Sequence, residues 1–258
     1  MEIWNDLIKG IARHYLWLYM GWRDVYRRYI RSFLGPSWLI INSLVMVGVM
    51  GPLYSFLFHI PMQNYLVYMV TSMLSWQLIA QLFAEMPNIY ITNSSYITDV
   101  NLPFSVYHLQ MLWRNMIIYG NNLLIIVPVI ALFGHFDWQA MLMFPINLAL
   151  VFINAFLFSY LIGALGTRFR DITPIANSII QIAFFTTPIL WKKDMIGQYV
   201  SLNYVNPFFN MLEMLRGPFL GYVPDMPSYI LLIVLAMIGY GLNVLTYRNI
   251  QPRVAYWL

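Results

Sequence analysis

Uncharged, mostly apolar runs along this chain alternate with short clusters that hold nearly all of its charge. No Asp, Glu, Lys or Arg falls between Arg31 and Glu85, or within Asn115–Phe136, Gln139–Thr167, Ile172–Trp191 and Met226–Tyr247. A helix of about 20 apolar residues crosses a ~30 Å hydrocarbon core. The first run has room for two crossings and each of the others for one. The pattern therefore predicts six spans, at residues 36–58, 65–85, 105–133, 139–166, 172–191 and 228–247. The runs are continuous rather than alternating, so they read as helices and not as a barrel. This is an all-α polytopic membrane protein.

The segments between the runs have patterns of their own. Over residues 1–31, Trp4, Ile8, Ile11, Tyr15, Leu18, Trp22, Val25 and Tyr29 recur at alternating spacings of four and three. Lys9, Arg13, Arg23, Arg27, Arg28 and Arg31 fall opposite. Such a helix lies in the membrane interface, aromatic at headgroup level and basic toward anionic lipid. Gly21 is a place for it to break, and Leu34-Gly35-Pro36 turns the chain into the first span. Arg114, in the first half of the third span, is expected to snorkel to the headgroups.

Residues 87–103 form a polar connection. Asn93 or Ser94 is placed to cap a helix of about two turns, which Pro103 stops. Residues 192–228 are too long and too amphipathic for a simple turn. Phe208, Leu212, Leu215 and Phe219 share a helical face behind Asn206-Pro207, while Asn203, Asn210, Glu213 and Arg216 exclude a seventh span. Short re-entrant helices over 193–227 fit, since irregular backbone at membrane depth must be covered by protein or water.

Between the fourth and fifth spans sits a charged knot, Arg168-Phe169-Arg170-Asp171. A turn that short and charged is suited to receiving a push from outside the membrane. Six spans put both termini on one side. That side collects the six basic residues of the first helix, two from the knot, and Arg248 and Arg253, against Lys192, Lys193 and Arg216 on the other. The excess places both termini in the cytoplasm.

Composition narrows the chemistry. The 258 residues are 60% hydrophobic and 9% charged, against about a quarter charged in soluble domains. The net charge of +4 therefore reports orientation rather than nucleic-acid binding. Cys is absent, which removes disulfide and thiol chemistry, and the basic N-terminal segment does not read as a signal peptide. There is no G-x-x-x-x-G-K-[ST] loop, no H-E-x-x-H and no G-x-S-x-G. His14, His59, His108 and His135 are scattered over different elements, so no metal site is expected. No charge lies mid-span in spans 1, 2, 4, 5 or 6, where ion-coupled transporters place one. The energy source is expected to be a separate protein.

Five stretches now carry a resemblance. They are Arg31–Trp38 around Leu34-Gly35-Pro36, Asp99–Pro103 (DVNLP), Arg168–Ile172 (RFRDI), Thr187–Trp191 (TPILW), and Asn206-Pro207 followed by MLRGP to Pro218. In their order and spacing the chain resembles the permease subunit of bacterial polysaccharide ABC exporters, which serve O-antigen, capsule and teichoic acid. Asp99 departs from the basic residue the resemblance leads one to expect.

The resemblance implies a homodimer in the inner membrane with two copies of an ATP-binding subunit. That subunit holds ATP and Mg; this chain holds no cofactor. It implies export of an undecaprenyl-diphosphate-linked glycan, with O-antigen favoured. Ser95, Tyr96, Ile97, Thr98 and Asp99, with Arg168, Arg170 and Asp171, are then the ATPase-coupling residues. Asn206, Pro207, Phe208 and Arg216 belong to a periplasmic gate. A conduit for sugar rings would be lined by Tyr54, Phe58, Tyr65, Tyr68, Trp76, Phe83, Phe184 and Phe185, since aromatic faces let a neutral polymer slide. Ordinary helix packing is the rival explanation for these rings. Two other functions stay open: a permease of the same architecture for drugs or lipids, and a membrane enzyme acting on lipid-linked sugar.

Overall fold

The computed structural model describes residues 2–29, 37–100, 102–134 and 136–258. The Leu34-Gly35-Pro36 turn, Arg31, Asn101 and His135 lie outside the described residues. Among the described residues the secondary structure is helical throughout. Two helices at the N-terminus, α1 (Glu2–Ala12) and α2 (His14–Tyr29), precede α3 (Ser37–Phe58) and α4 (Met62–Glu85). A 3-10 turn, Met86–Asn88, leads into the short α5 (Ile89–Thr92) and α6 (Ser94–Asp99). Then come α7 (Ser105–Phe133), α8 (Trp138–Arg168) and α9 (Ile172–Thr186). A 3-10 segment, Lys193–Val205, precedes α10 (Pro207–Arg216), a second 3-10 turn (Gly217–Leu220) and α11 (Met226–Trp257).

Among the described residues, four stretches are long and apolar enough to cross a membrane: Tyr65–Thr92, Ser105–Phe133, Trp138–Arg168 and Met226–Asn249. The apolar parts of α3 and α9, Ser43–Phe58 and Ile172–Thr186, are shorter. α9 stops short of residue 191 for a local reason. Thr187 precedes Pro188 and takes extended backbone angles, because a proline ring disfavours the helical conformation of the residue before it.

α1 and α2 dock against α7, where polar and small residues join the Trp17–Trp113 ring contact. The Asp6 carboxylate accepts from the backbone N–H groups of Phe104 and Ser105 at 2.9 and 2.8 Å, capping α7 from outside its own sequence. Tyr160 of α8 donates to the same carboxylate at 2.9 Å. At Gly10 a Cβ would collide with the Ser105 side chain. Gly21 does not break the helix; the break falls at Arg13. Gly21 instead lets α2 close on the Gln110 carbonyl and Trp113 of α7. Trp4, Ile8, Ile11, Tyr15 and Trp22, from the apolar stripe, are exposed.

Arg114 does not snorkel. Its guanidinium binds Asp24 of α2 at 2.7 Å and Glu85 of α4 at 2.8 Å, and Asn115 also donates to Glu85 at 2.7 Å. An unpaired charge there would cost more than the lost mobility of three side chains, so pairing wins. Elsewhere buried asparagines join helices. Asn154 of α8 donates to the Leu232 carbonyl of α11 at 3.1 Å, and Asn243 of α11 returns to the Leu157 carbonyl at 2.7 Å.

Asp6→Ala should lower the unfolding free energy of the detergent-purified protein by about 1–2 kcal/mol, the usual cost of a lost N-cap. Asp6→Asn should recover much of it, and thermal unfolding of both variants reads the difference.

Candidate functional site

Two features stand at the two ends of α9. At its start is the knot, whose Arg168, Phe169, Arg170 and Asp171 are all exposed. It sits beside the connection that carries α6. Gly166, just before the knot, lies so close to the Pro87 backbone that any Cβ would collide with it. Thr173, just after the knot, donates to the Asn88 side chain at 3.1 Å. The knot and the 86–99 connection thus form one continuous surface.

On α6, Ser95, Thr98 and Asp99 are exposed, while Tyr96 and Ile97 are half-buried against the bundle. The Arg23 guanidinium donates to the Tyr96 hydroxyl, which seats α6 on α2. Asn93 does not cap α6; its amide donates back to the Ile89 carbonyl at 2.8 Å.

At the other end of α9 the chain leaves the helix at Thr187 and runs irregularly to Trp191. Three of its carbonyls, those of Pro188, Leu190 and Trp191, are nevertheless met by side chains. Tyr65 donates to the Leu190 carbonyl at 2.6 Å, and the Tyr68 hydroxyl lies 2.8 and 2.6 Å from the carbonyls of Pro188 and Trp191. Arg216 donates to the Pro188 carbonyl from α10 and also reaches the Tyr68 hydroxyl at 2.9 Å and Ser72 at 3.0 Å. Thr187 receives a bond from Asn206 at 3.0 Å. Asn206 itself caps α10, accepting from the Phe208 N–H at 3.0 Å ahead of Pro207 at the first helical position.

Arg216 and its partner Glu213 are each 1% exposed. The guanidinium Nε lies 3.0 Å from Glu213, and Tyr222 donates to the same carboxylate at 2.8 Å. Burial works against the Arg216 charge, but Glu213, then Tyr68 and Tyr222, outweigh it and hold its pKa above the ordinary value. The Tyr222 phenol is pushed up by burial first and by Glu213 second. α10 packs against α4, α8 and α11, so this ion pair lies inside the bundle. We call the arrangement around Thr187–Trp191 the clamp.

The aromatic residues expected to line a conduit form two connected groups. Tyr54, Phe58, Tyr65 and Tyr68 follow one another with ring centroids 5.6, 6.2 and 6.4 Å apart. Trp76 contacts Phe184 of α9 and Phe208 of α10, both at 6.0 Å, and Phe83 meets Phe208 at 5.0 Å with the rings tilted. Tyr65, Tyr68 and Trp76 are buried within the chain, Tyr54, Phe58, Phe83 and Phe184 half-buried, and Phe185 is 69% exposed. Ser72, Tyr222 and Lys193, which lies 3.9 Å from Glu213, were not expected at this site. Among the described residues no group of His, Cys, Asp or Glu is placed to hold a metal ion.

Among the described residues the chain is thus a bundle of apolar helices with one irregular segment, Thr187–Trp191, tied to it by side chains. Residues 15–220 match the family described as ABC-2 type transporter, and the chain belongs to that family. It is a transport permease, and the likeness read from its motifs and the family match agree. The chain is similar to the O-antigen export system permease protein RfbA of Klebsiella pneumoniae, 27% identical over 238 residues, which cover 88% of this chain and 90% of that protein. A second protein of that name from Klebsiella pneumoniae is 26% identical over 238 residues. One from Myxococcus xanthus is 21% identical over 174 residues, 67% of each chain.

Arg216→Ala should cost about 3–5 kcal/mol of stability, because it strands the buried Glu213 carboxylate. The double change Arg216→Met with Glu213→Gln removes both charges and should cost clearly less than Arg216→Ala alone. Thermal unfolding of the two variants decides whether the pair acts as a unit.

Proposed function

We propose that this chain is the membrane half of a pump that moves a lipid-linked, O-antigen-type polysaccharide outward across the bacterial inner membrane. A separate ATP-binding subunit, holding ATP and Mg, supplies the work. The observation that carries the reading is the near-full-length similarity to permeases named for O-antigen export. The working unit is a homodimer with two ATPase copies, and the cargo is anchored on undecaprenyl diphosphate. Six crossings, with α3 and α9 as the short ones, put both termini in the cytoplasm. The basic residues of α1, α2 and the knot favour that orientation.

α9 is the transmission rod of this pump. The ATPase seats on Ser95, Tyr96, Ile97, Thr98 and Asp99 of α6 and on Arg168, Arg170 and Asp171 of the knot. A push there travels about 22 Å along the 15 residues of α9 to the clamp. Asn206, Pro207, Phe208 and Arg216 then act as the periplasmic gate, with α10 and the 193–205 segment re-entering from that side. The aromatic groups form the conduit wall, Phe185, Phe184, Phe83, Phe58 and Tyr54 toward the opening and Tyr65, Tyr68 and Trp76 behind them. Exposure of Phe185 on α9 supports that order.

Deleting the chain from its host should abolish the surface glycan, and a plasmid copy should restore it. A copy with Arg170→Ala and Asp171→Ala should insert normally yet export about tenfold less, since charge-assisted bonds of about 1.5–3 kcal/mol are lost at the ATPase seat. Immunoblots of surface glycan against membrane protein level check both. Full export by the double variant would remove the knot from the drive.

A further inference from the structure

We propose that the last two turns of α11 are a strut that holds the knot and α6 as one rigid surface, with Trp257 and Gln251 as positioning residues. The role assigned to that surface rests on the reading of the knot and α6 as the ATPase seat.

α11 does not end with its apolar stretch at Asn249; the helix continues to Trp257. The extension touches three elements at once. The Arg168 guanidinium lies 5.4 Å from the centre of the Trp257 ring and 5.1 Å from that of Phe169, held between a side chain of the knot and one of α11. α11 also packs on α6, and Val254 is fully buried in the cluster against which Tyr96, Ile97 and Trp257 rest. Gln251 reaches the Tyr90 hydroxyl of α5 at 3.5 Å. That hydroxyl lies 2.9 Å from His108 Nε2, whose Nδ1 is 2.7 Å from the Ser159 hydroxyl. A buried polar chain therefore runs from the strut through α5 and α7 into α8.

The physical need is plain. An exposed turn joined only by its two flanking helices absorbs a push by bending its own backbone. A cation held over an indole, the best aromatic partner for one, fixes the turn to a helix that is anchored elsewhere. Arg170 and Asp171 stay exposed beside that anchor.

The chain has no Cys, so a spin label on Arg170→Cys reports the knot alone. In the parent the label should be held. Trp257→Ala should raise the mobile fraction about two- to fivefold, the range for one partly exposed cation–π contact, and Trp257→Phe should restore most of it. Arg168→Ala breaks the contact from the other side and should match Trp257→Ala, while Arg168→Lys should not. Without the label, Trp257→Ala should lower permease-stimulated ATP hydrolysis by a similar factor while the ATPase co-purifies at unchanged ratio. Label mobility unchanged in both alanine variants overturns the strut, whatever the cargo. Raised mobility with undiminished ATPase stimulation overturns its role in the drive. A parent complex showing no stimulation at all counts against the pump reading instead, and leaves the mobility result to decide the strut.

Discussion

Thr187–Trp191 has left α9 without leaving the protein, and its carbonyls have no helix to satisfy them. In a membrane bundle each such group costs several kcal/mol unless something donates to it. Tyr65, Tyr68 and Arg216 are the donors, and their placement dictates much else. Arg216 must be buried to reach Pro188, so Glu213 must be buried beside it. α10 must then lie among α4, α8 and α11, with Asn206 capping its start and holding Thr187. One proline that ends a helix early thus fixes the position of the whole 193–220 segment.

The same helix begins at the knot, and this gives the chain its functional shape. In the proposed drive this 15-residue helix is the rod that carries a displacement from Asp171 to Thr187. The clamp at its other end is made of discrete hydrogen bonds and one ion pair. At the knot end the tight approach of Gly166 to Pro87 and the Thr173–Asn88 bond keep the α6 connection and the knot together. The Arg114 triad ties α2, α4 and α7 a little further along. A charged residue inside a membrane helix serves here as a joint between three helices.

The helical character was legible in the sequence, as were the four long apolar helices found among the described residues, because lipid leaves continuous apolar runs almost no alternative to helix. So was the family, through short motifs at wide spacing. The early end of α9 was also written there, in Thr187-Pro188, yet an uncharged run to Trp191 masks it. Contacts over long separations were not legible. Arg114 meets Asp24 across 90 residues, and Tyr68 meets Arg216 across 148. The sequence offered Tyr65, Tyr68 and Trp76 as the aromatic lining of a conduit but says nothing of what covers them, here α9, α10 and the segment between them. Gly21 showed the opposite failing: a residue that reads as a break is used for close approach to α7.

The central claim is that the ATPase, acting at the knot, works the clamp through α9. A single cysteine at Lys192, carrying an environment-sensitive fluorophore, tests it in the complex reconstituted with its ATPase. The account predicts one emission state with ATP bound and another after hydrolysis, with no change when Arg170 and Asp171 are both alanine. Identical emission in both nucleotide states, in a complex that still exports glycan, would contradict it.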